Sequence, residues 1–248
     1  MGMEKPNPPQ DDYTLVEHLT ELRNRLVYSL IAVTVLSIIA WNFRDFFFAI
    51  VRKPIQPYLP KGGLIYTAVQ ESFMAHLKVS ILAGVIMACP IWVYQMWKFI
   101  APGLYKNEKK FGAVFIIFGS ILFLTGVSFV YFVVYPLAFE FLLNFGGNID
   151  QAMISVSDYL SFFMTTTLMF GVAFELPLVL TILGMMGIVN KALLMALRRY
   201  ALVLICIVSA VITPPDIMSM VLLALPLYGL YEASIVLVGI FGQKPEEF

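Results

Sequence analysis

Phe111–Tyr135 reads FGAVFIIFGSILFLTGVSFVYFVVY, a run without one charged side chain. An apolar run longer than about 18 residues with no charge spans a membrane as a helix, because lipid offers the backbone no partner outside the segment. The whole chain agrees. Of its 248 residues 60% are hydrophobic and 13% charged, against about 25% charged in a soluble domain. A formal net charge of zero excludes the basic footprint of a nucleic-acid-binding protein.

Upstream, a second span is predicted over about 79–97 with Pro90 as its kink, followed by the charged loop FIAPGLYKNEKK, Phe99–Lys110. The first span covers about 26–41. Ahead of it lies HLTELRNR, His18–Arg25, and Leu15, Leu19, Leu22 and Leu26 repeat there at helical spacing. Thr14 and Glu17 have the spacing of a capping box. Residues 1–13 read as a disordered tail without the apolar core of a cleavable signal, so the first span is retained. Between the first two spans, 42–72 holds Pro54, Pro57, Pro60 and the Gly62-Gly63 pair. It is too broken to span and too apolar for a free linker, which predicts an ordered outer cap.

Downstream, Pro136–Asp158 reads as a second outer loop with three acids and no base. The fourth run, 159–186, is interrupted by Glu175 and Pro177, and Asn190–Arg199 is a basic connection. The last two runs, 200–212 and 217–231, have 13 and 15 residues. At ~1.5 Å per residue they reach about 20–23 Å, against a hydrocarbon core of roughly 30 Å, which would thin the bilayer locally. The expectation is a single all-α membrane domain of six spans, without internal repeat. With the N-terminus inside, Lys and Arg number eleven on inner segments and four on outer ones, which places both termini in the cytoplasm.

Few residues can carry chemistry. Glu21 can pair with Arg25 four residues on, which accounts for it as a helix-stabilising ion pair. It can equally be a carboxylate held at the membrane surface for a basic ligand. Glu108 complements the dipole of the third span's first turn, and it lies on the same side as Glu21. Two such carboxylates could each accept a planar guanidinium through paired hydrogen bonds, a geometry lysine lacks. Glu175, mid-membrane, is either a functional acid or a protonated, hydrogen-bonded structural one. Glu232 lies near the inner end of the last span. His18 and His76 have no metal-ligand spacing, and no hydrolase elbow, zinc-protease or phosphate-loop motif occurs. Cys89 and Cys206 sit in apolar runs as small buried residues. Nothing calls for a cofactor or an enzyme.

Four motifs in order, HLTELRNRL before the first span, PIWVYQMWKFIAPGLYKNEKK at the first inner loop, FGVAFELP in the fourth span and ITPPD between the last two, resemble the TatC family. That family is the multi-span receptor subunit of the twin-arginine protein translocase, and the resemblance runs from about Thr14 to Glu232. It implies a glove-shaped six-helix protein in the cytoplasmic membrane of a prokaryote, with both termini cytoplasmic. It also implies recognition of twin-arginine signal peptides on folded precursors, TatA- and TatB-type single-span partners, self-association in the complex, and drive from the proton-motive force. By motif position, Glu21 and Glu108 match the acids that recognise the arginine pair. Arg23, Pro54, Phe99 and Asp216 match further positions tied to signal recognition or transport. Glu175 matches a buried acid facing the concave side, and Met220 stands where some relatives carry a polar residue. Two other readings compete. One is a proton-coupled secondary transporter using Glu175, although the inverted repeats common in that class are missing. The other is a structural scaffold, which would leave both inner-face glutamates dispensable.

Overall fold

The computed structural model describes residues 15–59, 63–101, 112–144, 153–212 and 217–242. Among them every regular element is helical: α1 (Leu15–Trp41), α2 (Arg44–Arg52), α3 (Glu71–Met87), α4 (Cys89–Ile100), α5 (Gly112–Phe129), α6 (Tyr135–Asn144), α7 (Val156–Phe174), α8 (Leu176–Met185), α9 (Lys191–Ile212) and α10 (Ile217–Phe241). Five helical segments are long and apolar enough to cross a membrane, and α3 with α4, bent by 54°, makes a sixth. The all-α fold with six candidate spans is the one the apolar runs predict.

The breaks follow proline, with local adjustments. The second span breaks at Ala88, two residues ahead of Pro90, because proline is tolerated in the first turn of a new helix and α4 starts just before it. The bend leaves the Val85 carbonyl to the Trp92 indole N–H, which donates to it at 3.3 Å. In the fourth span α7 ends at Glu175 and α8 restarts with Pro177 in its first turn. Pro136, by contrast, does not end the third span. A π-turn over Val130–Val134 precedes it and joins α5 to α6, so the helix that sequence reading closed near Tyr135 runs on to Asn144. A π-turn shifts the hydrogen-bond register, and the missing proline N–H is absorbed there. The predicted outer loop is shorter by that extension.

The outer cap predicted for 42–72 contains α2 and a 3-10 turn, Gln56–Tyr58. The last carbonyls of α2 lie past the regular helical ladder, and the Lys53 amide turns back to Ile50 at 3.2 Å. Tyr131 donates to the Ile50 carbonyl at 3.0 Å, and Tyr159 donates to that of Val51. The last two apolar runs are short as read, but the helices around them are not. Lys191–Ile212 is 22 residues and Ile217–Phe241 is 25, about 33 and 37 Å at ~1.5 Å rise. Leu194 continues α9 toward the Glu21 end by burying against Tyr231, whose hydroxyl donates to the Leu194 carbonyl at 2.8 Å. Glu232 does not interrupt α10, since Arg198 at 2.7 Å and Tyr228 at 2.8 Å both donate to it. Any bilayer thinning would therefore come from where the apolar stretches sit, not from helix length.

The main core joins α2, α3, α6, α7 and α10 around the stacked rings of Tyr135, Phe139 and Phe163. Tyr135 is fully buried, and its hydroxyl lies 2.6 Å from both the Phe163 carbonyl and Thr167 Oγ1. α1 lies along α3 and α4, α5 along α7, and α10 along α8 and α9. Successive spans alternate direction. One end of the bundle therefore gathers the start of α1, the end of α4 and the start of α9; the opposite end carries α2 and the loops before α3 and α7.

At that α2 end, buried Glu71 is a clamp that sequence reading missed. Its Oε2 accepts from the Thr67 amide at 2.5 Å, the Thr67 hydroxyl at 3.0 Å and the Ala68 amide at 3.2 Å. Its Oε1 accepts from the Ser155 hydroxyl at 2.8 Å and the Ser157 amide at 2.6 Å. The loop before α3 is thereby tied to the start of α7, beside the paired backbones of Ile65 with Ile154 and Val156.

Two predictions follow from packing and from this clamp. A Cβ on Gly84 would come 2.1 Å from Ser37 Oγ and 2.7 Å from its amide nitrogen, whereas one on Gly229 meets nothing within 4 Å. Gly84→Ala should destabilise by about 1–3 kcal/mol through overpacking of α1 on α3. Gly229→Ala should stabilise by about 0.5–1 kcal/mol; melting temperatures of both purified variants in one detergent check the contrast. Glu71→Ala removes the shared acceptor of five donors, of which the Ser157 amide keeps Ser155 Oγ at 3.1 Å, and should lower the melting temperature by several degrees, with Glu71→Gln recovering part of the loss because one oxygen remains to accept.

Candidate functional site at the Glu21 end

Leucine, glutamate and arginine all favour helix, and α1 runs without a break from Leu15 into its apolar half. Its polar residues Glu17, Thr20, Glu21, Asn24, Arg25 and Tyr28 fall at three- and four-residue spacing, so they share one face. That face lines an open hollow of about 450 Å³. The leucine stripe points elsewhere and is exposed, with Leu19 at 64%, which in lipid is the satisfied state of an apolar side chain.

α4 approaches this face from the side. Arg25 Nη2 donates to Glu21 Oε1 at 2.9 Å, and Nη1 reaches Gln95 Oε1 on α4 at 3.4 Å. The pair is half-buried, the side chains of Arg25 and Glu21 being 22% and 25% exposed. Arg25 Nε is buried without a hydrogen-bond partner among the described residues. One turn further along α4, Phe99 stacks on the His18 ring with centroids 4.5 Å apart, and the Lys98 ammonium lies 5.4 Å over the Tyr94 ring. The site is therefore a carboxylate already holding one guanidinium, with aromatic and cationic side chains at its edge.

The predicted site residues separate into groups. Glu21 and Phe99 come to the same end, on α1 and α4. Arg23 is on α1 too but exposed and outside the hollow, as a residue two positions from Glu21 must be. Pro54 is at the opposite end, half-buried in the turn after α2 and next to the fully buried Ile55. Glu108, Asp216 and Thr14 lie outside the described residues. Met220 sits partly buried in the first turn of α10. Gln95 and the His18–Phe99 stack were missed, although both fall within the quoted motifs; a glutamine amid the apolar residues of Pro90–Ile100 was the available signal.

Glu175 forms a site of a different kind. It is 3% exposed at the α7–α8 break, and neither carboxylate oxygen has a hydrogen-bond partner among the described residues. The hydrogen bonds of the structural acid considered from sequence do not occur among the described residues. A Cβ on Gly119 of α5 would lie 3.2 Å from Glu175 Oε2, so glycine there makes the room. No group of three or more metal-ligating side chains occurs among the described residues.

Comparison with known proteins agrees with this architecture. The family model "Sec-independent protein translocase protein (TatC)" matches residues 17–226. The TatC protein of Desulforapulum autotrophicum is 43% identical over 231 residues, covering 93% of this chain and 86% of that one. The TatC protein of Escherichia coli K12 is 38% identical over 227 residues, covering 91% and 88%. A crystal structure of the twin-arginine translocase receptor TatC superposes with a TM-score of 0.82 at 39% identity, covering 90% of this chain and 98% of that one. A second, in the detergent DDM, gives 0.83 at 38% identity, covering 92% and 100%. Matched over most of its length by family model, relatives and solved structures alike, this chain is a member of the TatC family, the non-enzymatic translocase proteins of Sec-independent protein transport.

Proposed function

We propose that the chain is the receptor subunit of a twin-arginine translocase, taking the arginine pair of a signal peptide at the Glu21 end of the bundle. The observation that carries the reading is Glu21 itself, half-buried on the rim of an open hollow and already paired with a guanidinium. A carboxylate offers about four lone-pair sites, so one arginine of the chain leaves capacity for an incoming one. Glu108 is the second acceptor on this reading, and Phe99, stacked on His18, forms an apolar edge. Arg23, exposed on the flank of α1, meets the peptide or its partners outside the hollow. Glu175, Pro54 and Asp216 act in transport and partner contact, away from the arginine site.

The further parts of the proposal rest on the family and on charge. Both termini face the cytoplasm of a prokaryote, by the eleven-to-four distribution of Lys and Arg. TatA- and TatB-type single-span proteins are the partners, a second copy of this chain joins the complex, and the proton-motive force supplies the energy. The transporter reading of Glu175 loses its ground with the family assignment.

The test is binding of a synthetic twin-arginine signal peptide to the detergent-solubilised protein. Loss of one charged bidentate contact removes about 1.5–3 kcal/mol, roughly tenfold or more in affinity. Glu21→Ala, Glu108→Ala and a Lys-Lys peptide should each weaken binding by that factor. Undiminished binding in all three would remove the site. Glu175→Gln should leave peptide affinity unchanged while impairing export in vesicles; a loss of affinity would instead put Glu175 in the recognition site.

A further inference from the structure

The contact between α2 and α3 at the opposite end of the bundle holds an unusual histidine. His76 is on the second turn of α3, and its side chain is 20% exposed. The Phe48 ring of α2 stacks on it, with centroids 4.7 Å apart and planes 15° from parallel. Nδ1 lies 2.9 Å from the Ser72 carbonyl, and Nε2 lies 3.4 Å from Asp45 Oδ1. Both partners are acceptors only. A neutral imidazole carries one N–H, so it can satisfy one of the two and must turn a lone pair toward the other. The doubly protonated ring satisfies both at once.

From this we infer that His76 and Asp45 form a proton-dependent latch that holds the cap helix α2 against α3 when the imidazole is doubly protonated. The two residues are 31 positions apart in sequence and on separate elements, so the contact is tertiary and not a helix-terminal pairing. Its release has a simple route. The Asp45 side chain is 83% exposed, so with a lone pair facing it the carboxylate rotates to solvent, and α2 is left held by Phe47, Val51 and the two tyrosine hydroxyls at its far end. The latch acts at the beginning of α2, where no such hydroxyl reaches.

Of the other charged groups near this corner, Arg44 shares Asp45, while Glu71 and Lys78 are engaged elsewhere. Arg44 of α2 lies 5.4 Å over the Trp41 ring of α1 and 4.0 Å from Asp45. On α3, Glu71 is held by Thr67, Ala68, Ser155 and Ser157, and Lys78 points to Ser161 of α7 at 3.5 Å. Asp158 sits in the first turn of α7, and the outer end of α1 brings Trp41, with Asn42 next in the chain. Among the described residues Asp45 is thus the one carboxylate that meets the ring. Histidine is the side chain whose charge changes between about pH 5 and 8. On the orientation proposed above the latch faces the acidified side of the membrane, so the tightness of the cap follows outer pH independently of the arginine site.

Hydrogen exchange of the full-length protein in nanodiscs tests the latch, read on peptides covering Arg44–Arg52 and corrected for the intrinsic pH dependence of exchange. An exposed ion pair is worth enough to change protection by about two- to fivefold. Protection of α2 should rise by that factor from pH 8 to pH 6 in the parent and stay flat in His76→Gln. Asp45→Asn, at an exposed position that folding tolerates, should be equally flat. Protection that does not change with pH in the parent, or a rise that persists in either variant, overturns the inference.

Discussion

Every backbone break inside a membrane leaves carbonyls that lipid cannot satisfy, and this chain breaks or widens three of its spans. The structure depends on how those carbonyls are met. At Ala88 the Trp92 indole crosses the bend to Val85. At the α7–α8 break the Glu175 amide turns back to the Val172 carbonyl at 3.0 Å. Where α2 ends against the bundle, Tyr131 and Tyr159 supply the donors. The aromatic residues of this sequence are therefore more than apolar bulk. Their polar ends meet carbonyls that the helices leave open, and the bend at Ala88 sets α4 beside α1, where Gln95 reaches Arg25 and Phe99 stacks on His18.

The same constraint explains what could be read from sequence. Long charge-free runs such as Phe111–Tyr135 announce spans because a helix is the only way through lipid, and the all-α fold was legible for that reason. The Glu21–Arg25 pair was legible too, since four-residue spacing on a helix is enough to place it. Proline was a less dependable guide. Pro90 and Pro177 mark true breaks, whereas Pro136 lies in a helix that continues, because the preceding π-turn takes up the lost register. Cross-helix contacts were illegible. Glu71 finds Ser155 and Ser157 more than 80 residues away, and no local pattern encodes such a distance. The match of Arg25 with Gln95, and of His18 with Phe99, likewise depends on the angle at which α3 turns into α4.

Three buried or half-buried carboxylates then show three treatments of the same group. Glu71 is saturated by five donors and acts as a structural clamp. Glu21 accepts from one arginine at the rim of an open hollow. Glu175 is enclosed with both oxygens unpartnered among the described residues. An acid in that state is costly wherever lipid surrounds it, and Gly119 of α5 leaves the room beside its Oε2. A Cβ on Gly119 would also meet Val93 at 2.9 Å and Leu178 at 3.1 Å, so Glu175 is packed among apolar neighbours, and this sets it apart from the arginine site and from the clamp.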